Sequence, residues 1–292
     1  MWQQLLTNGL VSAATYLLLA VGFMLIFWVG KFFHFAHAIV FTAGAYMAFL
    51  LTKWLSLPLL ISITLAVLFS TVLGCLIEGF VYRPLTRKVA SPLVLLLASL
   101  GVYIVLQNLI SITFGDDTKS IRVGPIVEGL NVFGSKITLI QILIVCVSVI
   151  SVSAVALLLR KTKIGKAMRA TASNPELAKV SGIDTDRIIL WSFALGSALA
   201  GVAGILMALD VDMIPTMGMN ALMMGIVAVL IGGVGSIAGV ALGALLLGMA
   251  QHLGVLYISS QWQDAIAFVI LLAFLLFKPE GFMGKKIRKA TA

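Results

Sequence analysis

The chain has 292 residues, of which 61% are hydrophobic and 11% are charged, and its mean hydropathy is +1.13. Soluble globular domains are about 45–50% apolar and about 25% charged, so this composition excludes a water-soluble fold and indicates a polytopic membrane protein. The 20 Lys and Arg residues outnumber the 11 Asp and Glu residues, which gives a net charge of +9. A helical span needs about 20 apolar residues, so residues 1–292 are expected to form one transmembrane domain.

Nine apolar runs follow one another along the chain with short connections. They are 10–30, 34–51, 57–80, 92–114, 137–159, 188–209, 219–231, 238–256 and 265–277. Because they do not alternate every second residue as barrel strands do, they predict an all-α bundle of about eight to nine transmembrane segments. The first run is longer than a signal-peptide core and is expected to remain uncleaved. Run 219–231 would span only about 20 Å, which predicts an interrupted helix.

The basic residues divide unequally between the two sides of such a bundle. With the amino terminus outside and all nine runs crossing, 16 Lys and Arg residues lie inside. The remaining four lie outside: Lys53, Lys119, Arg122 and Lys136. Cytoplasmic loops carry an excess of Lys and Arg, so we expect an outside amino terminus and an inside carboxyl terminus.

The longest cytoplasmic loop, residues 160–187, carries signals for a short helix. Asn174 is a good N-cap, Pro175 suits the first helical position, and the carboxylate of Glu176 favours the positive end of the helix dipole. Gly182 supplies a left-handed terminator. We therefore predict a helix over 175–181. It either rests on the membrane surface as an amphipathic helix or docks into a cytosolic partner as a rigid knob.

The same loop and four other motifs resemble a known family. They are GKAMRA at 165–170, NPELA at 174–178 and GID at 182–184; then Glu78 with YRPL at 82–85, LQN at 106–108, GGVGS at 232–236, and KPEG at 278–281. Their order over nearly the whole chain is similar to the permease subunits of ABC importers, most closely the LivH type of branched-chain amino acid transport. In this family the loop contains the coupling helix, which makes Asn174, Pro175, Glu176, Ala178 and Gly182 the candidate ATPase-coupling residues.

The resemblance also implies a function and partners. We expect transport of branched-chain or other hydrophobic amino acids across the bacterial inner membrane. The implied partners are two cytosolic ATP-binding subunits, a second homologous permease and a periplasmic or extracellular amino acid binding protein. The sequence has no GxxxxGK[ST] motif, so ATP hydrolysis must come from such a partner. Membrane lipid surrounds the bundle, and neither nucleic acid nor a cofactor is expected.

Two histidines stand at the start of the second run, within HFAHAI at 34–39. The family usually has Asn-Phe-Ala-His-Gly there, so His37 matches whereas His34 and Ala38 do not. This departure keeps urea and short amides open as substrates. His34 and His37 are three residues apart and share a helical face. A metal site, bonds to backbone carbonyls and a pore-lining position are the alternatives, and we expect residues 31–38 to be non-helical and to line the passage.

The glycine-rich sequence at 232–236 is the second expected break. Glycines this dense disfavour a helix, and irregular backbone at membrane depth must face protein or water. The alternative is a tight cytoplasmic turn. Interrupted segments in both halves of a transporter flank the transport path in several folds. The candidate pathway residues are therefore His34, His37, Gly232, Gly233, Gly235 and Ser236.

Other function classes have weaker support in the sequence. A stand-alone secondary transporter needs ionisable residues in mid-span, and Glu78, close to Arg83, is the only carboxylate within an apolar run. An intramembrane enzyme is disfavoured because HExxH and GxSxG are missing. Gln107 and Asn108 are expected to bond neighbouring helices, and small residues such as Gly196 to allow close helix contact.

Overall fold

A computed structural model describes residues 2–122, 129–132 and 134–284 of the chain. The first half contains α1 (Trp2–Gly30), α2 (His37–Phe49), α3 (Leu59–Ile77), α4 (Arg83–Arg87) and α5 (Pro92–Phe114). Two π-helical turns, Leu50–Trp54 and Glu78–Tyr82, extend α2 and α3. A small antiparallel hairpin follows, with strands β1 (Leu130–Val132) and β2 (Ser135–Ile137).

The second half consists of seven further α-helices and one short 3₁₀ turn, Ser260–Trp262, among the described residues. The helices are α6 (Leu139–Lys161), α7 (Lys163–Ser173), α8 (Pro175–Val180), α9 (Thr185–Asp210), α10 (Met217–Gly232), α11 (Ile237–Gly254) and α12 (Gln263–Phe277).

The prediction of a polytopic helical bundle is confirmed. Within the described part of the chain, seven helices are long and apolar enough to cross a membrane. They are Trp2–Gly30, Leu59–Arg87, Pro92–Phe114, Leu139–Lys161, Thr185–Asp210, Ile237–Gly254 and Ser260–Phe277. The other two predicted runs correspond to the shorter helices α2 and α10. The 16 residues of α10 span about 24 Å, in agreement with the expected interrupted helix.

The bundle has two distinguishable ends. At the first, here called the hairpin end, the side chain of Gln4 donates a hydrogen bond to the carbonyl of Lys136 in β2, and Lys119 pairs with Met213. At the second, the loop end, α1 finishes close to the turn after α10: a Cβ added at Gly235 would lie 2.9 Å from Nε1 of Trp28. Successive long helices therefore run between the same two ends.

The described basic residues separate between these ends as the sequence predicts. Lys53, Lys119, Arg122 and Lys136 lie at the hairpin end, where Lys53 donates a hydrogen bond to the carbonyl of Arg122. Those at the loop end are Lys31, Arg83, Arg87, Lys88, Arg160, Lys161, Lys163, Lys166, Arg169, Lys179, Arg187 and Lys278. The other four predicted members, Lys285, Lys286, Arg288 and Lys289, lie outside the described residues.

Both short helices begin inside the bundle. A Cβ added at Gly22 would lie 3.1 Å from Nε2 of His37, so α2 starts level with a residue eight positions before the end of α1. Eight helical residues correspond to about 12 Å. The first turn of α10 meets the first turn of α2, because a Cβ at Gly218 would collide with the carbonyl of Ala38. The chain thus re-enters the bundle through residues 31–36 from the loop end and through 211–216 from the hairpin end.

The two re-entrant helices belong to an inverted structural repeat. α1 ends at Gly30 and α9 at Asp210, while α2 starts at His37 and α10 at Met217, so each pair is 180 residues apart. The same offset relates Ala38 to Gly218, the two residues in contact at the centre. Since α1 runs towards the loop end and α9 away from it, the halves have opposite orientation, as in several transporter folds.

The core lies around α1, α2, α9 and α10, which carry most of the fully buried side chains, whereas α5 and α12 are largely exposed. The crossing of α1 and α9 depends on two glycines. A Cβ on Gly196 would lie 2.7 Å from the carbonyl oxygen of Gly22, and a Cβ on Gly22 would lie equally close to that of Gly196. Small residues allow such close helix contact in a membrane, as expected for Gly196.

Replacing Gly196 by Ala should therefore destabilise the bundle. The added methyl group has to displace the backbone of α1 or the side chain of Ile26, and overpacking of this kind costs about 1–3 kcal/mol. The matched control is Gly101→Ala in α5, where a Cβ meets nothing within 4 Å. Thermal unfolding in detergent should show a lower Tm for Gly196→Ala only. Equal Tm values for the two variants would contradict the close crossing.

Candidate functional site

The loop between α6 and α9 folds as two helices. The hydroxyl of Thr162 caps α7 by accepting a hydrogen bond from the amide of Gly165 at 3.0 Å. The buried residues of α7 lie on one side, facing the bundle: Gly165, Met168, Thr171 and Ala172. The basic residues Lys166 and Arg169 are exposed. α7 therefore fixes the base of the loop against the membrane domain.

The predicted short helix is present as α8, one residue shorter than expected. The side-chain oxygen of Asn174 accepts a hydrogen bond from the amide of Leu177 at 3.0 Å, and Pro175 occupies the first turn. Gly182 has a φ of +83° just beyond the helix, and the amide of Ile183 donates to the carbonyl of Ala178 at 3.0 Å. Both ends of α8 are thus held by the residues that the sequence singled out.

The exposed side of α8 carries two residues that the sequence analysis missed. Leu177 is 64% exposed and Val180 is 86% exposed, and they lie three positions apart on one face. Ala178, a predicted coupling residue, is 4% exposed and packs inward, whereas Glu176 is exposed. The signal for Leu177 and Val180 was available, because they are the apolar residues between a cap and a terminator in a polar loop. Water-exposed apolar side chains at a fixed position are typical of a protein contact.

The re-entrant segment before α2 is tied to two other helices. Lys31 ends α1 with a φ of +61°, and the amide of Phe35 donates a hydrogen bond to the hydroxyl of Ser99 in α5 at 3.1 Å. Nδ1 of His34 shares a hydrogen bond of 2.8 Å with the hydroxyl of Tyr82. The expectation of non-helical backbone here agrees with the structure, where helix α2 starts at His37.

His34 and His37 lie together and are fully buried, with ring centroids 5.7 Å apart. The ring of Phe193 from α9 packs on His34 with a centroid distance of 4.9 Å. Among the described residues, no group of three or more His, Cys, Asp and Glu side chains is placed to hold a metal ion. Neither histidine faces an open channel within the single chain, and their pathway role stays a prediction.

The predicted break at 232–236 is the turn between α10 and α11, at the loop end. Gly233 and Gly235 have φ values of +97° and +88°, and Ser236 caps α11 by accepting a hydrogen bond from the amide of Gly239. The amide of Phe282 donates to the carbonyl of Ile231 at 2.8 Å, and that of Met283 to the carbonyl of Gly232 at 3.0 Å. Residues 280–284 therefore cover this turn. The pathway role of the turn also stays a prediction.

A cluster of charged groups lies beside the docking loop. The carboxylate of Glu78 is buried and lies 3.7 Å from Nε of Arg83, the pairing expected from the sequence. Nη2 of Arg83 donates to the carbonyl of Asp186 at 3.3 Å, and Arg87 lies 3.5 Å from the carboxylate of the same residue. Asp186 is in the first turn of α9, so the cluster joins the end of the third span to the corner between α8 and α9.

The amides in α5 do not behave as expected. Gln107 donates a hydrogen bond to the hydroxyl of Ser111, and Asn108 donates to the carbonyl of Ile104. Both bonds lie within α5. The prediction that they join neighbouring helices is therefore wrong, and the reason is that this side of α5 is largely exposed.

Comparison with known proteins decides the family. The family described as the permease component of branched-chain amino acid transport systems matches residues 5–275. The chain belongs to this permease family. The permease is 31% identical to the high-affinity branched-chain amino acid transport permease protein LivH of Salmonella typhimurium over 97% of its own length and 95% of that relative. It is 33% identical to the corresponding protein BraD of Pseudomonas aeruginosa, with the same coverage.

A shorter match reaches a permease named for a different substrate. The autoinducer 2 import system permease protein LsrC of Yersinia enterocolitica is 37% identical over 42% of this permease and 37% of that relative. The chain is accordingly a multi-pass membrane protein whose relatives are transport permease subunits.

We predict that Gly233 holds residues 280–284 of the permease in place. A Cβ at this position would collide with the amide nitrogen of Gly284, and the positive φ adds about 1 kcal/mol or more for any other residue. Gly115→Ala is the control, since its φ is +80° and its nearest neighbour is 3.9 Å away. Limited proteolysis should cleave the carboxyl-terminal segment faster in Gly233→Ala than in Gly115→Ala. Equal cleavage rates would show that the turn does not retain the segment.

Proposed function

We propose that the permease is a transmembrane subunit of an ABC importer for branched-chain or other hydrophobic amino acids, with α8 as the helix that contacts the ATPase. The observation that carries this proposal is the exposure of Leu177 and Val180 on a short helix whose ends are both capped. A loop that only connects two spans needs neither the caps nor the apolar face. Two cytosolic ATP-binding subunits would supply the energy.

The position of α8 supports this assignment. It lies at the loop end, where twelve of the described Lys and Arg residues are found, and the positive-inside rule assigns such an end to the cytoplasm. The amino terminus and the hairpin then face outward, towards a periplasmic or extracellular binding protein. Residues 160–187 form the cytoplasmic coupling loop of a single permease domain in the bacterial cytoplasmic membrane, paired with a second homologous permease.

The substrate class is inferred from the relatives that match along almost the whole length. Both LivH and BraD are named for branched-chain amino acids, whereas LsrC matches less than half of the chain. Urea and short amides are therefore the weaker alternative. A stand-alone secondary transporter is also weaker, because the buried carboxylate of Glu78 is neutralised by Arg83 and is not free to carry a proton across the bundle.

The test replaces the apolar face of α8 by charge. The double variant Leu177→Glu with Val180→Glu should keep its spans but lose co-purification with the ATP-binding subunits, since a carboxylate cannot be buried in an apolar contact without a partner. ATP-driven uptake of leucine in reconstituted vesicles should fall at least tenfold. Val89→Glu is the control, because Val89 is 90% exposed at the same end and outside α8.

Two results would contradict the proposal. If the double variant binds the ATP-binding subunits and transports leucine at the parental rate, α8 is not the contact. If the unmodified permease, assembled with its partners, shows no ATP-dependent uptake of leucine, isoleucine or valine, the substrate class is wrong.

A further inference from the structure

We propose that Tyr82 and Arg83, two adjacent residues at the end of the third span, transmit the position of α8 to the re-entrant segment before α2. This inference rests on the proposed function, because it assigns the route by which ATPase docking reaches the membrane interior. Arg83 contacts the cytoplasmic corner and Tyr82 contacts the interior. Together they join two regions that no other polar contact among the described residues connects through one helical turn.

The contacts of Arg83 lie on the cytoplasmic side. Its guanidinium donates to the carbonyl of Asp186, two residues after the N-cap Asp184 of α9. The chain between α8 and α9 is only four residues long, and the amide of Ile183 within it donates to the carbonyl of Ala178 in α8. A displacement of α8 therefore moves the start of α9 and the carbonyl that Arg83 contacts.

The contacts of Tyr82 lie on the interior side. Its side chain is 1% exposed, and its hydroxyl is hydrogen bonded to Nδ1 of His34 at 2.8 Å. The ring also packs against Phe32 and Phe193, with centroid distances of 4.8 Å and 5.6 Å. Phe32 and His34 are both residues of the re-entrant segment. A rotation of Tyr82 therefore changes the position of the backbone that leads into α2.

The helical turn between these contacts is π-helical, from Glu78 to Tyr82. A π-turn places an extra residue in an α-helix and occurs frequently at functional sites. The buried Glu78 stabilises the turn through Arg83, and no hydrogen bond to its Oε2 is formed within the described residues. The carboxylate holds Arg83 electrostatically without fixing it in one geometry. This turn can thus shift its side chains while the apolar helix above it stays packed.

Tyr82 is accordingly a positioning residue that acts through His34, and the variant Tyr82→Phe tests it. This change removes only the hydroxyl. The assembled transporter should form normally, while leucine uptake falls by about fivefold or more and the number of ATP molecules hydrolysed per leucine rises by a similar factor. Assembly is measured by co-purification, and uptake and ATP turnover in the same proteoliposomes.

The matched control is Tyr46→Phe. Tyr46 is equally buried, and its hydroxyl has no hydrogen-bond partner within the described residues. Its ratio of ATP to leucine should equal that of the parent. The variant His34→Phe should reproduce the effect of Tyr82→Phe, and the double variant should be no worse than either single variant, because all three lack the same hydrogen bond.

Two outcomes would overturn the inference. One is a parental ratio of ATP to leucine in Tyr82→Phe. The other is a fall in uptake matched by an equal fall in Tm and in assembled complex, which shows that Tyr82 only stabilises the fold. Either outcome leaves the α8 contact intact, because that contact is tested separately by charge on Leu177 and Val180. Unaltered ATPase binding in the α8 variant, with an altered ratio in Tyr82→Phe, would instead place the failure in the proposed contact.

Discussion

The structure depends on the need to satisfy backbone polar groups inside a membrane. Two helices, α2 and α10, begin within the bundle, and the first turn of a helix has amide groups without partners in the helix itself. Lipid offers no hydrogen bonds, so such breaks must be enclosed by protein. Residues 34–36 supply three carbonyls to the amides of His37, Ala38 and Ile39, and the hydroxyl of Ser99 accepts the amide of Phe35. The enclosed position of both short helices follows from this requirement.

The enclosure explains the division into inner and outer helices. α1 and α9 cross at Gly22 and Gly196 and hold the two re-entrant helices between them, so their side chains are mostly buried. The remaining long helices cover this centre and keep broad apolar surfaces exposed, as a membrane domain requires. The inverted repeat gives each half one entry into the centre, from opposite ends. An interior built in this way couples the two ends, because the first turns of α2 and α10 touch at Ala38 and Gly218.

Sequence patterns predicted the helical class, the nine runs and the separation of basic residues, since each depends on local composition. The caps of α8 were also predictable, because Asn174, Pro175 and Gly182 act on their own neighbours. The break at 211–216 was missed: VDMIPT has little local signal, and its position is fixed by contacts with α2 far away in sequence. The glycines at 232–236 carried the stronger signal, yet the structure places them in a turn covered by residues 280–284. Leu177 and Val180 were overlooked because burial, and not residue type, separates them from Ala178.

The central claim is that α8 faces the cytoplasm and carries the contact with the ATP-binding subunit. Photo-crosslinking from residue 180 in intact membranes tests it most directly, with Ile112, exposed near the hairpin end of α5, as the reference position. The account predicts a covalent product with the ATP-binding subunit from residue 180 and none from residue 112. Absence of that product from residue 180, or its modification by a membrane-impermeant reagent added outside the cell, would contradict the account.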